Sequence, residues 1–216
     1  EFSFFTAGTG NAGPTILSAT FLLLATPVLT YRDGRASEKR PWTERKEADF
    51  GPRVGVKPVW LLDNPDVPTV ATSLGVPNAM SRFGTDPLFW NYLFYLIRAI
   101  PESLLKNREA MQAFALFSEP IVRVVDKLVG STNAMRVDAK TLDGKTVVTS
   151  RMVHPDLESC VGLATAAFAV EVLKGIKGRD TATIPPGVWY PAELPKLARS
   201  NILEAAKEDT ITYDLG

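Results

Sequence analysis

TAGTGNAGPT, residues 6–15, lies between a strand-like apolar segment (residues 2–7) and an apolar segment that begins at Pro14. Pro14 suits the first position of a helix, where the N–H group that proline lacks would have no partner. A glycine-rich turn that leads into a helix exposes backbone N–H groups at the positive end of the helix dipole. The sequence therefore predicts a strand, a helix and, between them, a turn that favours a carboxylate or a phosphate.

The glycines of this turn have the spacing of a dinucleotide-binding motif. Gly8, Gly10 and Gly13 match G-x-G-x-x-G, and a strand precedes them as the motif requires. The next strand-like segment ends without the acidic residue that would bind a ribose, because Asp33 lies in a turn signal, and Pro14 departs from the usual helix start. Three interpretations stay open: a dinucleotide site, a purely structural turn, and a site for another anion or a substrate.

Composition indicates a folded protein and excludes several kinds of site. The 216 residues contain 24 basic and 24 acidic side chains, and this balance argues against a nucleic-acid-binding protein. Hydrophobic residues make up 45% of the chain and charged residues 22%, which is typical of a single soluble domain over residues 1–216 rather than a disordered chain. A lone cysteine, Cys160, and a lone histidine, His154, exclude a disulfide framework and multi-histidine metal sites, so we expect no metal.

Hydrophobic patterning predicts an α+β domain with a mixed, largely antiparallel sheet covered by helices. Residues 135–141 and 145–153 alternate around Leu142-Asp143-Gly144, which predicts a β-hairpin. Residues 35–47 are charged and contain Pro41, which predicts a surface loop. Long helices are predicted over residues 108–129 and 156–176.

The longest uncharged stretch predicts a buried helix rather than a membrane span. The helix is expected to run from Pro14 to about Ala25, because Pro27 would end it. About a dozen residues are too few to cross about 30 Å of hydrocarbon. Further along the chain, Asp86 is expected to cap a helix that starts at Pro87.

Three motifs, taken together, carry a resemblance to a known family. They are TAGTGNAGPT (6–15), SRFGT (81–85) followed by FWN (89–91), and PGVWYP (186–191). They resemble the C-terminal half of saccharopine dehydrogenase-like oxidoreductases. Members of that family have an N-terminal Rossmann domain that binds NAD(P), followed by an α+β domain for substrate binding and dimerisation. The resemblance implies that this chain is the second domain, without its nucleotide-binding half, and that it is inactive alone.

On this interpretation the glycine-rich turn faces the cleft between the two domains. Arg82 could bind a substrate carboxylate through its planar guanidinium, or could be a surface arginine or a partner of Asp86. Asn91 could orient a ligand amide or cap neighbouring backbone. Gly8 and Thr9 are the only expected contacts with the cofactor. The residues expected to bind substrate or an anion are Thr9, Gly10, Asn11, Gly13, Arg82 and Asn91.

Two residues are weak catalytic candidates. His154 precedes a predicted helix start, where a neutral imidazole could act as a base or a donor, or it could be an ordinary loop histidine. Tyr190 could donate a hydrogen bond in the cleft or simply pack its ring. Trp90 is expected in the core rather than as a platform for a ligand.

The expected function is the substrate-binding and dimerisation domain of an NAD(P)-dependent oxidoreductase. Its expected partners are its own Rossmann domain and a second copy or a larger complex. The alternative is a non-catalytic interaction subunit, for which the apolar, aromatic stretch Pro87–Ile97 is the cue. A third hypothesis is a peripheral membrane protein. No signal peptide is visible, and we expect an intracellular protein of the cytoplasm or of an organelle stroma or matrix.

Overall fold

The computed structural model describes residues 1–9, 13–176 and 183–216. The strands within these ranges form one twisted nine-stranded sheet with the order β3-β2-β6-β1-β7-β8-β9, while β5 pairs with β6 and carries β4. The strands are β1 (Phe2–Thr9), β2 (Val28–Arg32), β3 (Arg35–Lys39), β4 (Lys46–Asp49), β5 (Val56–Leu61), β6 (Ala79–Phe83), β7 (Thr132–Lys140), β8 (Val147–His154) and β9 (Thr212–Asp214). The helices are α1 (Pro14–Leu23), α2 (Asp66–Ser73), α3 (Phe89–Ile97), α4 (Glu102–Leu105), α5 (Arg108–Val129), α6 (Leu157–Ile176) and α7 (Lys196–Ala206).

Strand β1 lies in the middle of the sheet. It runs parallel to β6, with Phe2 opposite Ala79, and antiparallel to β7, with Phe2 opposite Ala139. Every other pair of described strands is antiparallel. The predicted α+β fold with a mixed, largely antiparallel sheet is therefore confirmed, as is the hairpin formed by β7 and β8.

The largest core lies where α1, α3 and α5 meet. Leu17 and Phe21 of α1 are buried there, so the predicted buried helix is confirmed, although it ends at Leu23. The rings of Trp42 and Trp60 stack in the same core with centroids 5.2 Å apart. In the part of the chain that the structure describes, no helix combines the length and the apolar character needed to span a membrane.

Two local predictions are wrong. Residues 35–47 are not a loop throughout, because β3 pairs with β2 and β4 begins at Lys46. All five residues of β3 are exposed, so no alternation of polar and apolar residues marks this strand. The helix after Asp86 begins at Phe89 instead of Pro87, and the Asp86 carboxylate does not cap it but pairs with Lys57, with Oδ2 and Nζ 2.5 Å apart.

Helices α3 and α5 leave large apolar side chains in contact with solvent. On α5, Phe117 is 72% exposed and Leu128 is 81% exposed. On α3, Tyr92 and Leu96 are similarly exposed. Contiguous apolar surface of this kind marks sites where a protein contacts a partner.

Candidate functional site

The glycine-rich turn begins at the carboxyl end of β1. Gly8 faces Asn133 of β7 so closely that a Cβ atom there would lie 2.1 Å from the carbonyl oxygen of Thr132, which only glycine avoids. The Thr9 hydroxyl accepts a hydrogen bond from the N–H of Thr132 at 2.9 Å. Gly13 stands at the N-terminal cap of α1. Gly10 and Asn11, two predicted binding residues, lie outside the described residues.

The first turn of α1 has fewer amide donors than the sequence suggested. Pro14 has no N–H, and the N–H groups of Ile16 and Leu17 both donate to the carbonyl oxygen of Gly13, at 3.0 and 3.1 Å. A helix N-terminus binds an anion through free N–H groups. Among the described residues, the anion-binding capacity of this helix start is therefore small.

The loop after β6 is bonded to the end of β1 and is held by Asn91. The N–H of Asp86 and the hydroxyl of Thr85 both donate to the carbonyl oxygen of Gly8, at 2.9 and 3.1 Å. Asn91 is 1% exposed, and its amide accepts from the N–H of Thr85 and donates to the carbonyl oxygens of Thr85 and Leu88. Of its two expected roles, Asn91 takes the backbone-capping one in this structure, and it thereby fixes the position of Thr85.

A pocket of about 120 Å³ lies beside the turn, where β1, the loop after β6 and the start of β7 meet. None of its described lining residues is charged. Its polar lining consists of hydroxyl groups and one amide, and the remainder is apolar. The polar residues are Thr6, Thr9, Thr20, Thr85, Thr132 and Asn133. This lining suits a neutral polar group, such as a hydroxyl, carbonyl or amide, better than an isolated anion.

A second pocket of about 80 Å³, mostly apolar but with Asp86 and Asp126 in its lining, adjoins the first between α1, α3 and α5. The two pockets share Leu17, Thr85 and Phe94. Trp90 lines the apolar pocket and also packs against the main core. A ligand whose polar end contacts the threonines would therefore find apolar surface for the rest of its body.

Arg82 does not line these pockets. The side chain is 1% exposed, and its guanidinium donates to the backbone oxygen and the carboxylate of Glu44 and to the sulfur of Met80. Burial lowers the pKa of Arg82, and the charge of Glu44 acts in the opposite direction. Arg82 is therefore neither a surface arginine nor a partner of Asp86, and its donors already have partners in this structure.

His154 ends β8 opposite Asn133 and is 1% exposed. Its Nδ1 accepts a hydrogen bond from the N–H of Asp156 at 3.0 Å, which leaves Nε2 as the protonated nitrogen. Nε2 is buried and has no hydrogen-bond partner among the described residues. His154 is not an exposed loop residue, but it does not line the pocket either; Asn133 stands between the two.

The other candidates lie apart from the pocket. Tyr190 is exposed and precedes a single 3₁₀ turn (Pro191–Glu193), where its N–H donates to the Glu193 carboxylate at 2.9 Å. Cys160 is buried, which raises the pKa of its thiol, while a hydrogen bond with Asn133 lowers it. No three or more His, Cys, Asp or Glu residues within the described ranges could hold a metal ion. The structure thus places Gly8 and Thr9 in the lining. Asn91 reaches the pocket only through its hydrogen bonds with Thr85, and Gly13, Arg82, His154 and Tyr190 lie outside the lining.

The topology decides against the dinucleotide interpretation of the turn. A Rossmann turn joins a strand and a helix within a parallel βαβ unit. Here β2, the strand after α1, does not pair with β1 but lies beyond β6, to which it is antiparallel. Because β6 is parallel to β1, β2 runs opposite to β1. The glycine spacing therefore matches the sequence of a dinucleotide-binding motif but does not lie in the parallel βαβ unit that such a motif requires.

Comparison with protein-family models and with curated proteins found no significant match for this chain.

Proposed function

We propose that this chain is the substrate-binding and dimerisation domain of an NAD(P)-dependent oxidoreductase of the saccharopine dehydrogenase-like kind. The observation that carries the proposal is the uncharged, hydroxyl-lined pocket at the carboxyl ends of β1 and β6. Such a pocket can bind a polar group of a substrate and hold it in a fixed orientation. A domain contributes to catalysis in this way when another domain supplies the reactive group. The nicotinamide would supply the hydride chemistry.

The described residues do not form a dinucleotide site of their own. The topology around the turn is not that of a Rossmann unit, and about 120 Å³ is below the range of about 300–1,000 Å³ typical of pockets for ligands of drug size. We therefore propose that a separate domain holds NAD(P) and that this chain contributes contacts near Gly8 and Thr9. The substrate would carry a hydroxyl, carbonyl or amide towards Thr85 and Thr132.

The test compares the complete protein with this chain alone. NADPH and NADH are added to each, and binding is followed by cofactor fluorescence and by amide hydrogen exchange. We expect binding by the complete protein, with slower exchange in residues 6–9 and 83–86, and no binding by the chain alone. Absence of protection at these residues, in a complete protein that binds NADPH, would contradict the proposed place of the pocket.

Two variants test whether the pocket hydroxyls matter. Thr85→Val and Thr132→Val remove a hydroxyl group at almost constant volume, and we expect each to reduce the protection of residues 6–9 by NADPH. Thr72→Val is the matched control, because Thr72 lies on α2 outside the pocket and its hydroxyl bonds only within that helix. An equal effect of all three variants would point to general destabilisation.

A non-catalytic interaction subunit is the second candidate. The exposed apolar residues of α3 and α5 favour it, together with the lack of a hydrogen-bond partner for Nε2 of His154 among the described residues. The same titration separates the two candidates. A complete protein that assembles stably but binds neither NADPH nor NADH supports the interaction subunit.

A further inference from the structure

A larger pocket, of about 350 Å³, lies at the C-terminal end of α1. It is formed where the end of α1, the end of β3 and the connection between α3 and α4 meet. Its apolar wall includes Leu24, Ala25 and Leu105, which belong to the main core. Its volume is within the range of about 300–1,000 Å³ typical of small-molecule sites.

The rim of this pocket is basic. Lys39, Arg40 and Arg98 line it, against the carboxylates of Glu38 and Glu102. Glu102 is paired with Lys106 on its own helix, and Lys39 lies 3.7 Å from Glu44. The charges in the lining that are not in these pairs are the guanidinium groups of Arg40 and Arg98 and the carboxylate of Glu38.

Neither guanidinium has a carboxylate partner in the described part of the chain. Nη1 of Arg98 donates to the carbonyl oxygens of Pro41 and Trp42, at 3.4 and 3.0 Å, and its guanidinium carbon lies 4.8 Å from the centre of the Tyr95 ring. These contacts hold Arg98 in one orientation and leave Nε and Nη2 as donors. A planar guanidinium with two donors matches the oxygen atoms of a carboxylate or a phosphate.

The segment that carries Arg40 is held rigidly in a strained conformation. Trp42 has a φ of 58°, in the left-handed region that a bulky residue rarely adopts. The conformation is maintained because the indole N–H donates to the carbonyl oxygen of Asn91 at 2.9 Å and the backbone N–H donates to Leu61 at 2.7 Å. As a result, the carbonyl oxygens of Pro41 and Trp42 point at Arg98 beside the pocket.

We propose that this pocket binds a small organic anion, whose carboxylate or phosphate contacts Arg40 and Arg98 and whose short apolar body lies against Leu24, Ala25 and Leu105. The inference does not depend on the proposed function of the chain. It rests on a cavity of suitable size, an apolar wall continuous with the core, and two guanidinium groups that have no carboxylate within ion-pair distance among the described residues.

Four probes separate the head group from the apolar body. Hexanoate, hexyl phosphate, 1-hexanol and inorganic phosphate are titrated into the full chain by calorimetry at constant pH. We expect hexanoate and hexyl phosphate to bind at least about tenfold more tightly than 1-hexanol, because charge-assisted hydrogen bonds are lost with the alcohol. The ratio of the two anion affinities identifies which head group the pocket prefers. Binding should weaken as sodium chloride is raised.

Arg40→Met and Arg98→Met each replace the arginine with a long, unbranched apolar side chain and so remove the positive charge. We expect each to weaken hexanoate binding by about tenfold or more and the double variant to abolish it. Arg40 is exposed, so its variant tests the proposal even if Arg98→Met disturbs the fold. Arg35→Met is the matched control. Arg35 begins β3, the strand that Arg40 directly follows, but it does not line the pocket, so the affinity of this variant for hexanoate should match that of the wild type. The proposal is overturned if 1-hexanol binds as well as hexanoate, if Arg40→Met binds hexanoate like wild type, or if no probe binds.

Discussion

At the scale of single residues, the site depends on a close contact between two backbones. Gly8 brings β1 against β7 at Thr132, and Gly84 makes a similar contact, since a Cβ atom there would lie 2.2 Å from the carbonyl oxygen of Pro58. At both positions glycine is required because a side chain would collide with the neighbouring backbone, and not because the backbone has an unusual φ. The walls of the pocket therefore depend on the absence of a side chain at these positions.

We expect Gly8→Ala to destabilise the protein by about 3 kcal/mol or more, because backbone atoms cannot give way as a flexible side chain can. Gly162→Ala is the matched control on α6, where nothing lies within 4 Å of the added Cβ. That change should stabilise the protein by about 0.5–1 kcal/mol, as alanine does in an exposed helix. Urea unfolding measures both, and equal effects would contradict the contact at Gly8.

The contact of Arg82 with Glu44 gives a second prediction at this scale. Glu44→Ala should destabilise the protein by about 1–3 kcal/mol, because it removes the carboxylate partner of a buried guanidinium. Glu47→Ala is the control, since the Arg45–Glu47 pair is exposed on both sides and should contribute at most about 1 kcal/mol. If thermal unfolding shows equal losses, the contact between the buried Arg82 and the half-exposed Glu44 does not stabilise the fold.

The site residues that the sequence could predict were those next to glycine. The TAGTG and SRFGT motifs pointed to Thr9 and to the loop containing Thr85, and the structure places both at the pocket. Thr132 and Asn133 carried no signal, because they reach the pocket through the pairing of β1 with a strand about 125 residues away. Arg82 shows the opposite case: its type suggested a ligand contact, but its burial depends on Glu44, which lies in a segment predicted as a loop.

At the scale of elements, local signals predicted more than distant ones. The Leu142-Asp143-Gly144 turn predicted the β7–β8 hairpin because turn and strands are contiguous, and the periodicity of α5 predicted its limits. Strand β3 was missed because its side chains are all exposed, and strand order cannot be read from periodicity at all. The three-residue strand β9 depends entirely on its pairing with β8.

Helices α6 and α7 are joined through one buried carboxylate. Glu171 is 2% exposed and accepts hydrogen bonds from Lys174, Asn201 and Thr183, the first two at 2.5 and 2.9 Å. Burial acts to raise the pKa of Glu171, but the hydrogen bonds and the charge of Lys174 outweigh it, and the pKa lies below its usual value. One side chain thus ties α6 to α7 and to the segment that precedes the 3₁₀ turn.

This network predicts a specific loss of stability in acid. A depressed pKa stabilises the folded state above the unfolded value of about 4.3, and that contribution is lost as the pH falls through the folded-state pKa. Glu171→Gln should cost about 1–3 kcal/mol at pH 7 and progressively less below about pH 4. Glu204→Gln is the control, because Glu204 is exposed. A constant difference between wild type and Glu171→Gln across the pH range, in urea unfolding, would contradict the prediction.

At the scale of the whole molecule, α3 and α5 expose many large apolar residues that have no partner among the described elements. The proposed dimerisation role requires such a surface. Strand β3 forms one edge of the sheet, and its exposed, charged side chains disfavour association through that edge. From this distribution of apolar and charged side chains we propose that the dimer forms through α3 and α5.

We expect the protein to form dimers in sedimentation experiments and Phe117→Lys with Leu128→Lys to shift it to the monomer. Thermal stability of the monomer should change little, because both side chains are exposed. Gln112→Lys is the control, because it adds one positive charge at an exposed polar position of α5 and should leave the dimer intact. A wild-type protein that stays monomeric up to millimolar concentration would exclude a dimer formed through this surface.

The central place of β1 has a consequence for synthesis on the ribosome. Phe2 pairs with Ala79 and Ala139, so β1 is translated before both of its partner strands and cannot complete its hydrogen bonds until β6 and β7 have followed. Contacts so distant in sequence form slowly, and an unpaired apolar strand is prone to self-association meanwhile. Nascent chains of this protein should therefore depend on chaperones that shelter the first strand until residue 140 has left the exit tunnel.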